Sequence, residues 1–447
     1  MATTSTSASP PSYLTVEQLR LGVFVMLDLL WFRHPFPLGS FKIKTEAQLR
    51  ELRALKLKRY RYDPLRSDLP PQASAQLASD GASGHDMGPK PEPELETEPA
   101  EEATPELIAK RQRRESNKAR REQIEQVEIA FIKATALMKG LNKNIFAKPK
   151  ETLEEIGSLV GEMIDAFLLS PEVTLHVMGE KAGGEDVYFH SLNVTILGMM
   201  LAKNLNFTLE QAREMGVGAM LHDIGLTDIP DHIAKRPRNE SSKAETSLRA
   251  THVQLGAAMG QRIGLSKDAT SVIEQHHELA DGSGYPSGTK EAAMSPGARL
   301  ISLINYYDNL CNPPDIALAM TPHEALSFMF AKNRAKFDAK ALQFLIRSLG
   351  VHPPGSIVQL SNETLALVTS VNPQKPLRPN VLIYDERVPK DEAISLDLEH
   401  EPDINIIKSI RPGMLSTKVA AYLNPPRRVT YFFDSSSGSK GGGGGAA

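Results

Sequence analysis

The chain has 447 residues, of which 51 are Lys or Arg and 54 are Asp or Glu, giving a formal net charge of −3. This near-neutral balance is unlike the basic footprint of proteins that bind nucleic-acid polymers, and the single cysteine, Cys311, excludes a disulfide scaffold and a zinc site with several thiolate ligands. No apolar run approaches the roughly 20 residues of a membrane-spanning helix and the first residues lack the features of a signal peptide, so we expect a soluble, cytoplasmic protein.

Residues 1–65 predict a disordered start followed by a small α+β domain. Residues 1–12 are rich in Ser, Thr, Ala and Pro, a composition typical of disorder, and residues 13–65 form the predicted domain. Capping-box pairs predict its helix starts, and apolar or alternating runs predict its strands: Thr15 with Gln18, Thr45 with Gln48, Val23–Phe32 and Lys58–Asp63. Nothing in this domain indicates a chemical function.

A charged linker follows over residues 66–121. Its first part has almost no apolar side chains, so it cannot bury enough surface to fold. Its last part, Lys110–Arg121, is strongly basic. We interpret the basic run as a solvated helix start, with contact to nucleic acid or an anionic membrane as the alternative. The charged stretch 106–135 also suggests a coiled coil and therefore a homodimer.

Residues 122–350 have the period of a helical domain, with apolar side chains three and four positions apart. A capping box at Thr208 and cap–proline pairs at Ser295 and Thr321 predict helix starts. Gly350 predicts the end of the last helix. These periodic segments therefore predict a bundle of at least six helices.

Residues 351–434 change to short runs typical of strands, and the Gly-rich residues 435–447 predict a flexible tail. The four strand-like runs are Ser356–Leu360, Thr364–Ser370, Val381–Tyr384 and Val429–Phe433. The predicted fold class is mainly α: a helical bundle between a small N-terminal α+β domain and a β-containing C-terminal extension.

Side chains that bind metals recur in five segments of the helical region: Asp186 with His190, His222 with Asp223, His252, His276 with His277, and Asp308. Helical bundles build metal sites from inward side chains on facing helices. Imidazole and carboxylate without thiolate suit iron, manganese or zinc, and suit two-metal hydrolytic sites. Asp223, a carboxylate next to a histidine, is the natural bridge between two ions. Each segment alone is commonplace, so the prediction depends on their order and spacing together.

Taken together, these motifs resemble an HD-GYP domain, a branch of the HD phosphohydrolase superfamily. The segments that carry the resemblance are HSLNV (190–194), HDIG (222–225), THVQLG (251–256), HHELADGSGYP (276–286) and YYDNL (306–310). The likeness spans roughly residues 125–350. Residues 13–65 resemble the small N-terminal domain of unknown function that often precedes HD-GYP domains.

The resemblance implies a bacterial phosphodiesterase that hydrolyses cyclic di-GMP to pGpG or GMP with two or three iron or manganese ions. It implies that Asp223 and His222 are central to catalysis, and that cyclic di-GMP and diguanylate cyclase (GGDEF) domains are partners. The implied metal ligands are Asp186, His190, His222, Asp223, His252, His276, His277 and Asp308, with Asp186 serving a third ion. The implied signature loop consists of Asp281, Gly282, Ser283, Gly284, Tyr285 and Pro286.

Two positions depart from the family pattern on the substrate side. Leu226 stands where the family usually has the lysine of HDIGK, and the loop 311–320 lacks the usual Arg and Tyr. A lost phosphate contact slows turnover without abolishing it. We therefore expect a phosphodiesterase, with a weakened or inactive effector that binds cyclic di-GMP or a cyclase, or a hydrolase of another phosphoester, as alternatives. Four basic residues could substitute for the lysine: Lys235, Arg236, Lys332 and Arg334.

Overall fold

The structure, a computed structural model, describes residues 12–27, 40–55, 57–68, 144–168, 174–177, 187–237, 240–371, 375–426 and 428–434, with isolated positions between 114 and 140. The described chain forms two compact units. The first lies within residues 1–28 and 40–116, and the second holds the remainder.

The first unit is a small antiparallel sheet with one helix. Its strands are Ser12–Leu14 (β1), Phe24–Met26 (β2), Ser40–Lys42 (β3) and Tyr60–Asp63 (β4), in the order β1-β4-β2-β3, and its helix is Glu46–Ala54 (α1). Thr45 caps α1 by accepting a hydrogen bond from the Gln48 N–H, as the capping box predicts. At Thr15 the same spacing gives only a 3-10 turn, Val16–Gln18. The part of the run Val23–Phe32 beyond Leu27 lies outside the described residues.

The second unit begins with a helical bundle. Its helices are Pro149–Leu168 (α2), Val187–Asn204 (α3), Leu209–Leu221 (α4), Asp231–Ala234 (α5), Lys243–Ala250 (α6), His252–Ile263 (α7), Lys267–Gln275 (α8), Pro296–Cys311 (α9), Pro322–Lys332 (α10) and Ala339–Leu349 (α11). None of the helices described is long and apolar enough to cross a membrane.

The predicted helix starts at Thr208, Ser295 and Thr321 are confirmed. Each hydroxyl accepts a hydrogen bond from a backbone N–H in the first turn, which satisfies a donor that the helix itself cannot pair. The last helix ends at Leu349, where Gly350 has φ +77°, a conformation that suits glycine. Local capping chemistry therefore sets where these helices begin and end.

Helix α3 lies at the centre of the bundle. Its apolar side chains Leu192, Ile196 and Leu197 are fully buried, and it packs against α2, α4 and α9. Asn193 is only 2% exposed although it is polar. Since a buried amide is costly unless it is hydrogen-bonded, this residue signals a polar network inside the bundle.

A seven-stranded sheet follows, with Ile357–Leu360 (β6), Leu365–Val371 (β7), Asn380–Ile383 (β8), Ser395–Asp397 (β9), Ile406–Ile410 (β10) and Tyr431–Asp434 (β11), and with a short helix, Thr417–Leu423 (α12). Its main path is β10-β6-β7-β5-β11, where β5 is Thr174–Val177 and β8 pairs with β7 and β9. The predicted fold class, mainly helical with strand-containing ends, is confirmed. The sequence did not predict β5, a strand inside the region expected to be helical.

The HDIG segment packs directly on helix α7 through a glycine. It forms a 3-10 turn, Ile224–Asp228. A Cβ atom at Gly225 would lie 2.0 Å from the backbone oxygen of His252, so only glycine allows this approach. Gly225 therefore brings two predicted metal-binding segments, His222-Asp223 and His252, into contact.

We expect Gly225→Ala to lower the free energy of unfolding by about 3 kcal/mol, because the added methyl group forces the turn away from α7. Urea denaturation measures this loss. Gly161→Ala in α2 is the matched control, since a Cβ there meets nothing within 4 Å and alanine favours a helix interior by about 1 kcal/mol. Wild-type stability in Gly225→Ala would contradict the packing described.

Candidate metal centre

Three histidines of the site share one design at the ends of helices. Each follows a helix by one or two residues, and its Nδ1 lies 2.6–2.7 Å from the backbone oxygen three residues earlier: His222 to Ala219, His252 to Arg249, and His276 to Ile273. A carbonyl oxygen only accepts, so each Nδ1 carries a hydrogen, and in the neutral ring each Nε2 keeps its lone pair. The three rings thus present the nitrogen that a metal binds.

These lone pairs converge on the carboxylate of Asp223. His252 Nε2 lies 3.3 Å and His276 Nε2 lies 3.7 Å from Asp223 Oδ1, and the two Nε2 atoms are 3.2 Å apart. Two nitrogen lone pairs at this distance repel each other, and a cation between them turns repulsion into attraction. With His277, these three side chains form a group whose donor atoms lie within 4.8 Å of one another.

A second group shares Asp223 with the first. It contains His190 of α3 and His222, again with donor atoms within 4.8 Å. His222 Nε2 is buried and has no hydrogen-bond partner among the residues that the structure describes, which is costly in a protein interior. His190 Nε2 lies 4.0 Å from Asp223 Oδ2. Asp223 therefore stands between two sets of histidines, as expected of a bridging carboxylate.

The protonation states at the site suit a divalent cation. Burial lowers the pKa of His276 well below its usual value, and the neighbouring His222 and His252 lower it further. Burial also lowers the pKa of His222. Burial would raise the pKa of Asp223, but the positive charge that His222 and His252 carry when protonated holds it well below its usual value, so a proton or a metal cation at this point meets an ionised carboxylate. Neutral imidazoles beside an ionised carboxylate are what metal binding requires. Helix C-termini, which attract positive charge, also point here from α4, α6 and α8.

Asp308 lies beside these groups and contacts His190. Its Oδ2 is 2.6 Å from His190 Nδ1, so that nitrogen donates to the carboxylate. Burial lowers the pKa of His190, but the hydrogen bond and the charge of Asp308 raise it overall. Carboxylates that accept from a histidine in this way orient the ring toward a metal. Whether Asp308 is also a ligand stays a prediction.

Asparagines along helix α9 connect the site, and sequence reasoning missed them. The Asn305 Oδ1 is 2.9 Å from His190 Nε2, and its Nδ2 donates to the His276 backbone oxygen at 3.3 Å. Asn309 Nδ2 donates to Asn305 Oδ1 at 2.6 Å. A signal was present, because Asn305, Asn309 and Asn312 lie at i, i+4 and i+7 and so share the helix face of Asp308.

The signature loop folds back over the two adjacent histidines. Tyr285 stacks on His277 with ring centroids 4.6 Å apart, and its N–H donates to the His277 oxygen at 3.1 Å. A Cβ at Gly284 would lie 2.4 Å from the Leu279 nitrogen, so the loop needs glycine there. Glu278, 1% exposed, accepts from the backbone N–H of Ser287 at 2.7 Å and of Thr289 at 2.9 Å. This buried carboxylate, to which the sequence assigned no role, holds the loop.

The outer part of the loop has a structural role. Asp281 is exposed, and its Oδ1 accepts from the Ser283 N–H at 2.9 Å and from the Ser283 hydroxyl at 2.7 Å. Gly282 has φ +81°, and the Tyr285–Pro286 peptide bond is cis. Asp281 therefore shapes the turn, while Tyr285 faces the site.

A cavity of about 470 Å³ opens beside the first group of ligands. His276, His277, Tyr285 and Tyr306 line it, together with Pro313, Pro314, Asp315 and Leu318 of the loop 311–320. A cavity of this size and lining suits a small ligand with an aromatic ring.

The remaining predicted residues lie around this centre or beyond it. Asp186 lies outside the described residues. Leu226 is half-buried on the turn after Asp223, and its backbone N–H donates to the Asp223 backbone oxygen at 2.9 Å. The four candidate basic residues have other contacts: Lys235 pairs with Asp231, Arg236 with Glu245, and Lys332 and Arg334 lie over Phe328 and Phe330.

Three known families match consecutive parts of this chain. Residues 13–156 match a domain of unknown function, DUF3391, residues 178–341 match the HD domain, and residues 357–418 match a KOW domain associated with the HD domain. The predicted resemblance to an HD-type domain behind a small domain of unknown function is therefore confirmed. The domain limits given above stay predictions.

Similar proteins include two named as cyclic di-GMP phosphodiesterases. One, from Pseudomonas aeruginosa, is 27% identical over 83% of this chain and 84% of its own length. The other, a response regulator from Xanthomonas campestris, is 27% identical over 33% of this chain and 39% of its own length. A solved structure of a protein from Bdellovibrio bacteriovorus described as HDG"Y"P is similar with a TM-score of 0.41 and 16% identity, covering 75% of this chain and 98% of that one.

We expect Asp223→Ala to lose both metal ions, because Asp223 belongs to both groups of donors, and His277→Ala to lose only one. The protein is loaded with Mn²⁺, desalted and measured by atomic emission, with about two ions per chain expected for the wild type. Asp231→Ala is the matched control, since this carboxylate is exposed and pairs with Lys235. Wild-type metal content in Asp223→Ala would contradict the assignment.

Proposed function

We propose that this chain, an HD-domain protein that also carries the domain DUF3391, is a metal-dependent phosphodiesterase that hydrolyses cyclic di-GMP. The observation that carries the proposal is the convergence of the His252 and His276 Nε2 atoms, 3.2 Å apart, on the Asp223 carboxylate beside an open cavity. Histidine and carboxylate donors that share one bridging aspartate are typical of two-metal hydrolytic sites. The named activity of the two relatives supports cyclic di-GMP as the substrate.

The chain's own residues divide the work in this proposal. Asp223 with His252, His276 and His277 would hold one divalent ion, and Asp223 with His190 and His222 would hold the other. We propose iron or manganese, which suit imidazole and carboxylate donors. When bound, such a pair of ions supplies the Lewis acid that polarises a phosphodiester and activates water.

The cavity residues would bind and orient the dinucleotide. Tyr285, held against His277 at 4.6 Å, offers an aromatic face on which a base can stack. Pro313, Pro314 and Leu318 of the loop 311–320 add apolar surface to the same cavity. Substrate binding would thus depend on stacking and packing for the bases and on the metal centre for the phosphate. A third ion at Asp186, a diguanylate cyclase partner and a homodimer stay predictions from the sequence.

Purified protein supplied anaerobically with Mn²⁺ or Fe²⁺ is expected to convert cyclic di-GMP to pGpG or GMP. Chromatography of the reaction mixture measures these products. Asp223→Ala is expected to show no product, because both donor groups lose their shared carboxylate. Asp231→Ala should retain wild-type turnover. Intact substrate after incubation with the metal-loaded wild type would overturn the proposal, and tight binding of the intact dinucleotide would then identify an effector.

We expect Leu226→Lys to raise kcat/KM for cyclic di-GMP about tenfold or more, because an ammonium beside Asp223 can stabilise the negative phosphate in the transition state. Residues three apart on a 3-10 turn line up, so position 226 shares a side with Asp223. Leu226→Met is the control for side-chain length without charge. Equal rates in Leu226→Lys and Leu226→Met would mean that this position does not reach the phosphate.

A further inference from the structure

The last strand of the chain returns to the helical domain behind the metal centre. Strand β11 pairs with β5, with Tyr431 opposite Val177, and β5 precedes the helix α3 that carries His190. Val429 and Tyr431 are buried in the same apolar core as the helices. The family matches end at residue 341 for the HD domain and at residue 418 for the KOW domain. Neither match therefore includes this returning segment.

Two asparagines join the returning segment to Asp308. Asn312 Nδ2 donates to Asp308 Oδ1 at 2.9 Å and to the Val429 oxygen at 2.8 Å. Asn193 Nδ2 donates to the same carboxylate oxygen and to the same Val429 oxygen, the latter at 3.3 Å. One backbone oxygen of the C-terminal segment thus fixes both amides that hold Asp308.

The side-chain oxygens of the same two asparagines accept hydrogen bonds from the C-terminal segment. The Val429 N–H donates to Asn312 Oδ1 at 2.8 Å, and the Tyr431 N–H donates to Asn193 Oδ1 at 3.1 Å. Each asparagine therefore uses both ends of its side chain. Because Asn193 and Asp308 are 2% and 1% exposed, water cannot replace the hydrogen bond between them.

A pair of buried tyrosines anchors the same segment one residue from Asp308. The Tyr431 and Tyr307 hydroxyls are 2.7 Å apart. Burial raises the pKa of both hydroxyls well above the usual value, so both stay neutral and share one hydrogen bond. The C-terminal segment is thus tied to α9 by its backbone and by a side chain.

We propose that Val429–Tyr431 is a positioning element of the metal centre. It orients Asn193 and Asn312, and these hold Asp308. Asp308 accepts from His190 Nδ1 at 2.6 Å and so fixes the ring, whose Nε2 lies 2.9 Å from Asn305 Oδ1 and 4.0 Å from Asp223 Oδ2. The inference rests on the proposed metal centre. Partners behind a metal-binding histidine typically change metal affinity 10- to 100-fold when they are removed.

The test compares Mn²⁺ dissociation constants in the full-length chain, measured by equilibrium dialysis and atomic emission. Asn312→Leu removes the side-chain amide. Val429→Pro removes the backbone N–H that donates a hydrogen bond to the oxygen of this amide. Each single variant is expected to weaken Mn²⁺ binding about tenfold or more. The double variant is expected to lose no more affinity than the more affected single variant, because both substitutions break the same contact. Asn204→Leu is the matched control, since Asn204 lies in α3 but pairs with Ser348.

Melting curves of the metal-free proteins separate positioning from misfolding. If Val429→Pro does not fold, Tyr431→Phe replaces it, because it keeps every backbone contact and removes only the bond to Tyr307; about a threefold loss of affinity is then expected. Wild-type Mn²⁺ affinity in folded Asn312→Leu and Val429→Pro would overturn the inference. Metal binding without cyclic di-GMP hydrolysis in the wild type would instead refute the proposed function and leave the positioning role intact.

Discussion

The arrangement of the site depends on one electrostatic constraint, the approach of the His252 and His276 Nε2 atoms to 3.2 Å. In the neutral form of each ring the one hydrogen lies on Nδ1 and is donated to a backbone oxygen, so neither Nε2 can donate to the other. Repulsion between two lone pairs in a buried site is unfavourable. The packing of the surrounding helices holds the two Nε2 atoms at this short distance. A cation bound between them would replace the repulsion with attraction.

Helix ends explain how the chain produces three such rings. The last carbonyl groups of a helix lack partners within the helix, and His222, His252 and His276 each donate to one of them from just beyond the helix. The same bonds that cap α4, α6 and α8 therefore also select the tautomer that binds metal. Because helix C-termini carry partial negative charge, three of them around one carboxylate favour a cation at that point.

Sequence reasoning found the ligand types and helix starts because both are local. HDIG, HHE and the caps at Thr208 and Ser295 each occupy a few neighbouring residues. It missed the pairing of β5 with β11, which joins residues more than 250 positions apart in the chain, because no period or spacing reports which strands meet. It also treated Asp308 only as a ligand. The carboxylate's contact with His190 and its two amide partners depend on tertiary packing, although the asparagine spacing along α9 hinted at a polar face.

The C-terminal sheet is consequently part of the helical domain's construction. Strand β5 lies between β7 and β11, so the sheet takes one strand from before α3 and one from the end of the chain. Val429 and Tyr431 complete the core that contains Leu192 and Leu303. Residues from the last described strand therefore belong to the core of the bundle itself. If the same segment positions Asp308 and His190 as proposed, the packing of this core and the geometry of the metal centre depend on one stretch of chain, and metal binding is linked to folding through it.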